Sequence, residues 1–210
     1  MDSINVPTTP AITAEFLDSL AEAPGANEAL RQVDRCRSRI ASGSIFSIQQ
    51  NVTTVRDAAD QVLLRRFYSS EASTFPVHGV KRKTLTPWAE CLFVQGRVFV
   101  GEGEQVLAQN FDDFEQMRLY KLRSVINVPL MQGNLCYATF NVFGTCAGWR
   151  PEQVLGIRLL ALSAARWVPP IPELAYRFSR APAALPTADG RDAAPHPSRD
   201  AGSVVSVQWD

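Results

Sequence analysis

The sequence predicts an α+β fold: a single antiparallel sheet with terminal helices on one face and a loop-and-helix roof on the other. Three observations predict it. Apolar residues recur at helical spacing near both ends of the folded region. Four segments between them alternate with period two, and the last two are joined by the short turn Gln132-Gly133-Asn134, the signature of a hairpin. Helices and strands are partly segregated along the chain, which argues against repeated strand–helix–strand units.

Each element has its own warrant. Thr13 can cap a short helix whose Phe16, Leu17 and Leu20 share a face, and Pro24-Gly25 ends it. A second helix is expected from Asn27 to about Ile40, with Leu30, Val33, Cys36 or Arg37, and Ile40 on one stripe. Ser42-Gly43 breaks the chain. Ile45 to Val52 then reads as a strand with Ile45, Ser47 and Gln49 on one side, and Gln61 to Ser70 as another in which Arg65 and Arg66 point oppositely. The middle is expected to be a loop through the basic run Lys81-Arg82-Lys83, then a short helix capped by Thr86 with Pro87 at its first position. A short strand at Arg97 to Val100 and a helix from Asp112 or Asp113 to Tyr120 follow. Ser124 to Met131 and Leu135 to Phe143 form the hairpin. A long helix opened by Trp149 and Pro151 runs to about Val168, where Pro169-Pro170 stops it. The expected organisation is a disordered leader at 1–11, a domain at 12–170 and a Pro/Ala-rich, mostly disordered tail at 171–210.

Composition narrows the function classes. The 210 residues are 46% hydrophobic, enough for a packed core, and Lys plus Arg balances Asp plus Glu at 21 each. No nucleic-acid or membrane partner is expected from that balance. No apolar run approaches the ~20 residues that span a bilayer. The polar start lacks a basic segment followed by an apolar one, so a cytoplasmic location is expected. Cys36, Cys91, Cys136 and Cys146 are widely spaced with no companion histidines, so no metal site is expected and free thiols are.

The candidate site comes from the hairpin register. If Met131 opposes Leu135, Asn127 opposes Thr139 and Val125 opposes Asn141. Asn127, Tyr137, Thr139 and Asn141 then share one face, and Cys136, Ala138, Phe140 and Val142 the other. A buried amide left unpaired costs about 1–3 kcal/mol, so something must satisfy these groups: a polar ligand under the roof, or roof backbone and solvent. Tyr68, Phe75, Trp88, Phe111 and Tyr120 are candidate walls. One of Arg65 and Arg66, with Arg65 the candidate taken, would enter to hold a carboxylate or phosphate. His78 lacks a partner in the sequence and reads as a surface residue.

The segment Arg123-Ser-Val-Ile-Asn-Val-Pro-Leu130, then Leu135-Cys-Tyr-Ala-Thr-Phe-Asn-Val-Phe-Gly144, then Trp149-Arg-Pro-Glu-Gln153 and an apolar helix resembles the end of a GAF domain. Tyr137-Ala138 stands where that family often has a Leu-Gly pair. The resemblance covers about Ala14 to Val168, and PAS domains share the architecture. It implies five or six antiparallel strands, terminal helices that pair into a homodimer, and a roof at about Phe75 to Tyr120. Members bind cyclic nucleotides, tetrapyrroles, haem, or amino or keto acids, and a few are methionine sulfoxide reductases; neither Cys91 nor Cys146 aligns with the reductase motif. The cofactor stays unknown. The expected function is a sensory or regulatory small-molecule-binding protein with a polar pocket on one sheet face. The alternatives are a small enzyme using the same pocket, or an interaction module with an empty one.

Overall fold

The computed structural model describes residues 11–179. Residues 1–10 of the expected leader, the tail from 180 onward and His196 within it lie outside the described residues. Six antiparallel strands form one sheet in the order β3-β2-β1-β6-β5-β4. They are β1 (Ile45–Asn51), β2 (Gln61–Ser69), β3 (Val80–Thr84), β4 (Phe99–Glu102), β5 (Ser124–Gln132) and β6 (Leu135–Gly144).

One face carries α1 (Ala14–Ala21), α2 (Ala26–Ile40) and α6 (Pro151–Ala165). Leu30 and Val33 of α2, Phe46, Phe140, and Ile157 and Leu160 of α6 are fully buried there. Full burial of each such side chain contributes about 1.5–3 kcal/mol. Gly156 lets α6 approach α2, since a Cβ there would stand 3.1 Å from the Ile40 side chain. Arg37 closes α2 from inside, donating to the Ser44 carbonyl at 2.6 Å and the Ser44 hydroxyl at 2.9 Å.

The other face carries the roof: α3 (Pro87–Ala89), which widens into a π-helical turn over Glu90–Val94, α4 (Glu104–Asn110) and α5 (Phe114–Leu119). The Thr86 hydroxyl accepts from the Ala89 N–H at 3.2 Å, and Pro87 follows it, as the sequence predicts. Trp88, Leu92, Phe93, Leu107, Phe111 and Met117 bury themselves against Val62, Leu64, Val125 and the sheet.

Two elements differ from expectation. β3 occupies the basic run expected to be a loop, with Lys81 and Lys83 turned inward and Val80, Arg82 and Thr84 exposed. Hydrophobic periodicity cannot register an alternation in which the inward residues are charged. α4 forms where only acidic and amide residues stood out, because Val106 and Leu107 bury against the sheet.

The hairpin register also differs. The turn has two residues, Gly133 at φ 56° and Asn134, so Gln132 pairs with Leu135. Tyr137 is then skipped: Met131 pairs with Cys136 and Leu130 with Ala138. Each change moves the register by one. Together they move it by two, which preserves parity beyond the bulge. Asn127 therefore opposes Asn141, Pro129 opposes Thr139, and Val125 opposes Phe143. A second bulge lies in β2, where Ile48 pairs with Tyr68 and Gln49 with Arg66, leaving Phe67 unpaired.

Beyond α6 the chain does not leave the body. Residues 169–179 cross from the helix face to the roof as a strap. The Thr53 carbonyl accepts from Ala175 N–H at 3.0 Å, and the Arg177 carbonyl accepts from Asp60 N–H at 2.9 Å. The Tyr176 hydroxyl accepts from the Cys136 N–H at 2.8 Å and lies 3.1 Å from the Phe93 carbonyl, to which it donates. The packed body thus extends past the expected boundary at residue 170. The proline-rich composition concealed two anchoring aromatics, Tyr176 and Phe178.

Candidate functional site

The roof face of the sheet is polar at its centre. β1 contributes Ser47 and Gln49, β5 Asn127 and β6 Asn141, all lining one cavity between sheet and roof. The Asn127 side chain is spent internally. Its carbonyl accepts from the Trp88 indole N–H at 2.9 Å, and its amide donates to the Asn141 carbonyl at 2.6 Å. The Asn141 amide in turn donates to the Thr139 backbone carbonyl at 3.2 Å. A relay of hydrogen bonds thus runs from the roof helix to the sheet floor. Trp88 is held edge-on by Phe93 and Phe111, each with its ring centroid 5.8 Å away.

The enclosed part is small, about 30 Å³, room for about two water molecules. It adjoins a more open groove of about 240 Å³, and Gln49, Arg66, Phe75, Lys81 and Asp113 line both.

The wall on the β2–β3 side is cationic. Lys81 is ion-paired with Asp113, and Lys83 with Asp112 at 2.6 Å. Hydrogen bonding to the Lys83 ammonium holds the Asp112 carboxyl below its ordinary value. Asp113 stands at the N-cap of α5 without capping it through its side chain; both aspartates instead tie the roof to β3. Arg66 donates to the Pro76 carbonyl at 3.2 Å, and its guanidinium carbon lies 5.6 Å from the Phe75 ring centroid. Its Nε is buried with no hydrogen-bond partner among the described residues. Burial lowers the Arg66 pKa, and the Asp113 charge opposes that shift.

The expected residues divide three ways. Asn127, Asn141, Trp88 and Phe111 line the cavity. Thr139 is buried on the same sheet face, its hydroxyl without a partner among the described residues, but does not reach the lining. Tyr120 stands at the roof's edge, bonded to the Thr74 hydroxyl, 38% exposed and outside the cavity. Tyr137, Tyr68 and Arg65 are corrections. The bulge at Tyr137 turns that side chain to the helix face, where its hydroxyl donates to the Ala165 carbonyl at 3.1 Å, and sends Cys136 to the roof side. The bulge at Phe67 does the same to Tyr68, which packs on Phe46 at 5.2 Å. Arg65 opposes Gln50 on the helix side and bonds its amide, so the arginine at the cavity is Arg66.

The lining also holds Ser47, Lys81 and Lys83, which are not among the residues expected from the sequence. Their signal was period-two alternation of polar groups, in β1 beside Ile45 and Gln49 and in β3 inside the basic run. Burial raises the pKa of the Cys36 and Cys91 thiols and pushes that of Cys136 up to about 12, which disfavours the nucleophilic thiolate at these three positions. Among the described residues no cluster of His, Cys, Asp and Glu could hold a metal, and no helix is long and apolar enough to cross a membrane.

No family model matches the chain, and no curated protein matches it in sequence. Solved structures do match it in fold. The GAF domain of a phosphoenolpyruvate-protein phosphotransferase from Coxiella burnetii is similar with a TM-score of 0.57 at 10% identity, over 78% of this chain and 95% of that one. The GAF domain of the cyanobacteriochrome TePixJ is similar with a TM-score of 0.52 at 12% identity, over 70% and 91%. The chromophore-binding domain of the R. palustris bacteriophytochrome RpBphP3 gives a TM-score of 0.50 at 10% identity, over 72% of this chain; the chain spans 57% of that one. The likeness is one of fold: the chain has the GAF fold, as the hairpin and final helix of its sequence predict.

Proposed function

We propose that the protein is a sensory or regulatory module that binds a small molecule in the cavity between sheet and roof. The observation that carries this reading is the buried relay Trp88–Asn127–Asn141. It puts hydrogen-bonding amides on a cavity floor and ties them to the roof helix that a ligand would have to displace. A ligand that takes over one of these bonds disconnects Trp88 from the sheet, which gives binding a mechanical output. The similarity in fold to a chromophore-binding domain supports a roof cavity built for occupancy. A cytoplasmic location fits the same reading.

Output would pass through a homodimer formed by the terminal helices. Leu155, Leu159 and Leu162 recur at helical spacing on α6 and are 58%, 44% and 72% exposed, an apolar stripe suited to a second copy.

Native mass spectrometry of the gently purified full chain tests the binding reading, followed by titration of the released compound against wild type and Asn141→Ala. A bound small molecule whose affinity falls about tenfold in the variant is expected, the range of one buried hydrogen bond. Binding unaffected by Asn141→Ala and by Trp88→Phe would refute the cavity as the site.

A further inference from the structure

We infer that the ligand of this cavity is an oxyanion, a small carboxylate or phosphate monoester, whose charged end is received by Arg66 with Lys81 and Lys83 beside it. The inference rests on the small-molecule reading above and adds the chemical class.

Three cations, Arg66, Lys81 and Lys83, line the cavity, and two carboxylates, Asp112 and Asp113, answer them. Lys81 and Lys83 each have one of these. Arg66 forms no salt bridge among the described residues, and its buried Nε finds no acceptor. A planar guanidinium presents its donors as a fork that matches a carboxylate or phosphate edge. Here one corner is used by the Pro76 carbonyl and one face lies toward Phe75, while the Nε stays unpaired.

The lysines add a second observation. The Lys83 side chain is 11% exposed, while its partner Asp112 is 82% exposed. An inward ammonium is thus balanced by a carboxylate standing largely in water. Inward-pointing charge on an edge strand protects against edge-to-edge aggregation, which accounts for Lys81 and Lys83 on β3. It does not account for Arg66, which sits on β2, an interior strand. An incoming anion satisfies the Nε, offsets the uneven charge and explains all three cations together.

Shape agrees with chemistry. Arg66, Lys81, Gln49 and Phe75 line both the enclosed cavity and the adjoining groove. An oxyanion held at that junction lies beside an amide donor, with the Phe75 ring available to an apolar body.

The test uses the full chain and three anionic probes, acetate, benzoate and inorganic phosphate, against the neutral acetamide and benzamide. Binding is followed by the Trp88 indole N–H resonance and by melting temperature at constant ionic strength. The acids or phosphate should move both readouts while the amides move neither, and the tighter of the two anion classes identifies the source. Arg66→Gln should weaken anion binding about tenfold to a hundredfold, as for loss of a charge-assisted hydrogen bond, with Arg66→Lys in between. Circular dichroism establishes that both variants fold, and if Arg66→Gln fails to fold, Arg66→Lys carries the comparison. Equal binding of acids and amides, or anion binding indifferent to the Arg66 variants, overturns the oxyanion inference and leaves the cavity reading standing. A Trp88 resonance that no probe moves overturns both.

Discussion

At the scale of single residues, the cavity is a case of polar groups satisfying one another. Asn127 has hydrogen-bond partners on two sides, one on the roof and one on the floor. Asn127→Leu leaves the Trp88 indole N–H buried without an acceptor, which costs about 1–3 kcal/mol. Trp88→Phe alone removes the donor and a larger ring. If the two side chains interact as described, the double variant is less destabilised than the sum of the singles, and denaturant unfolding of the four proteins reads the difference. Strict additivity would show that the bond contributes nothing. The sequence made Asn127 and Asn141 legible because polar residues on an alternating strand stand out against apolar neighbours. It could not make their partner legible: nothing local to Trp88 indicates that its indole reaches a strand 39 residues away.

At the scale of elements, the two bulges decide what was and was not legible. Alternation gives the strands, their direction and the parity of Asn127, Thr139 and Asn141. A bulge reverses parity at one point, and neither Tyr137 nor Phe67 carries a local mark such as glycine. Two tyrosines expected at the cavity therefore face the helices or pack beside them. The strap element is equally silent in sequence, since its proline-rich composition resembles a linker. Its chemistry is testable through pH. Burial pushes the hydroxyls of Tyr68 and Tyr176 up to about 12, and the Cys136 thiol likewise to about 12. Groups whose folded pKa is raised contribute stability in full below their unfolded pKa values, about 8.5 for the thiol and about 10 for the tyrosines, and lose it as pH rises toward about 12. Urea unfolding midpoints should hold steady through neutral pH and fall steadily across that alkaline window. Tyr176→Phe should lower the midpoint at neutral pH, by leaving the Cys136 N–H without its acceptor, and flatten the alkaline decline. A variant with an unaltered alkaline slope would remove Tyr176 from the account.

At the scale of the whole molecule, two surfaces stand apart: the roof over the polar floor, and a helix layer with an exposed leucine stripe. Leu159→Glu with Leu162→Glu should convert a dimer to a monomer in light scattering without changing the far-ultraviolet spectrum. A wild type already monomeric at micromolar concentration would remove the dimer from the proposed output. The strap has a further consequence, in time rather than in space. Its bonds join Thr53 and Asp60 to residues 175–179, across separations of up to 122 positions. Such contacts form slowly, because a long loop must close before they give any return. During synthesis the sheet and its two covering layers are complete in sequence before Tyr176 leaves the ribosome. Until it does, the Cys136 amide at the bulge lacks the acceptor that the strap brings to it.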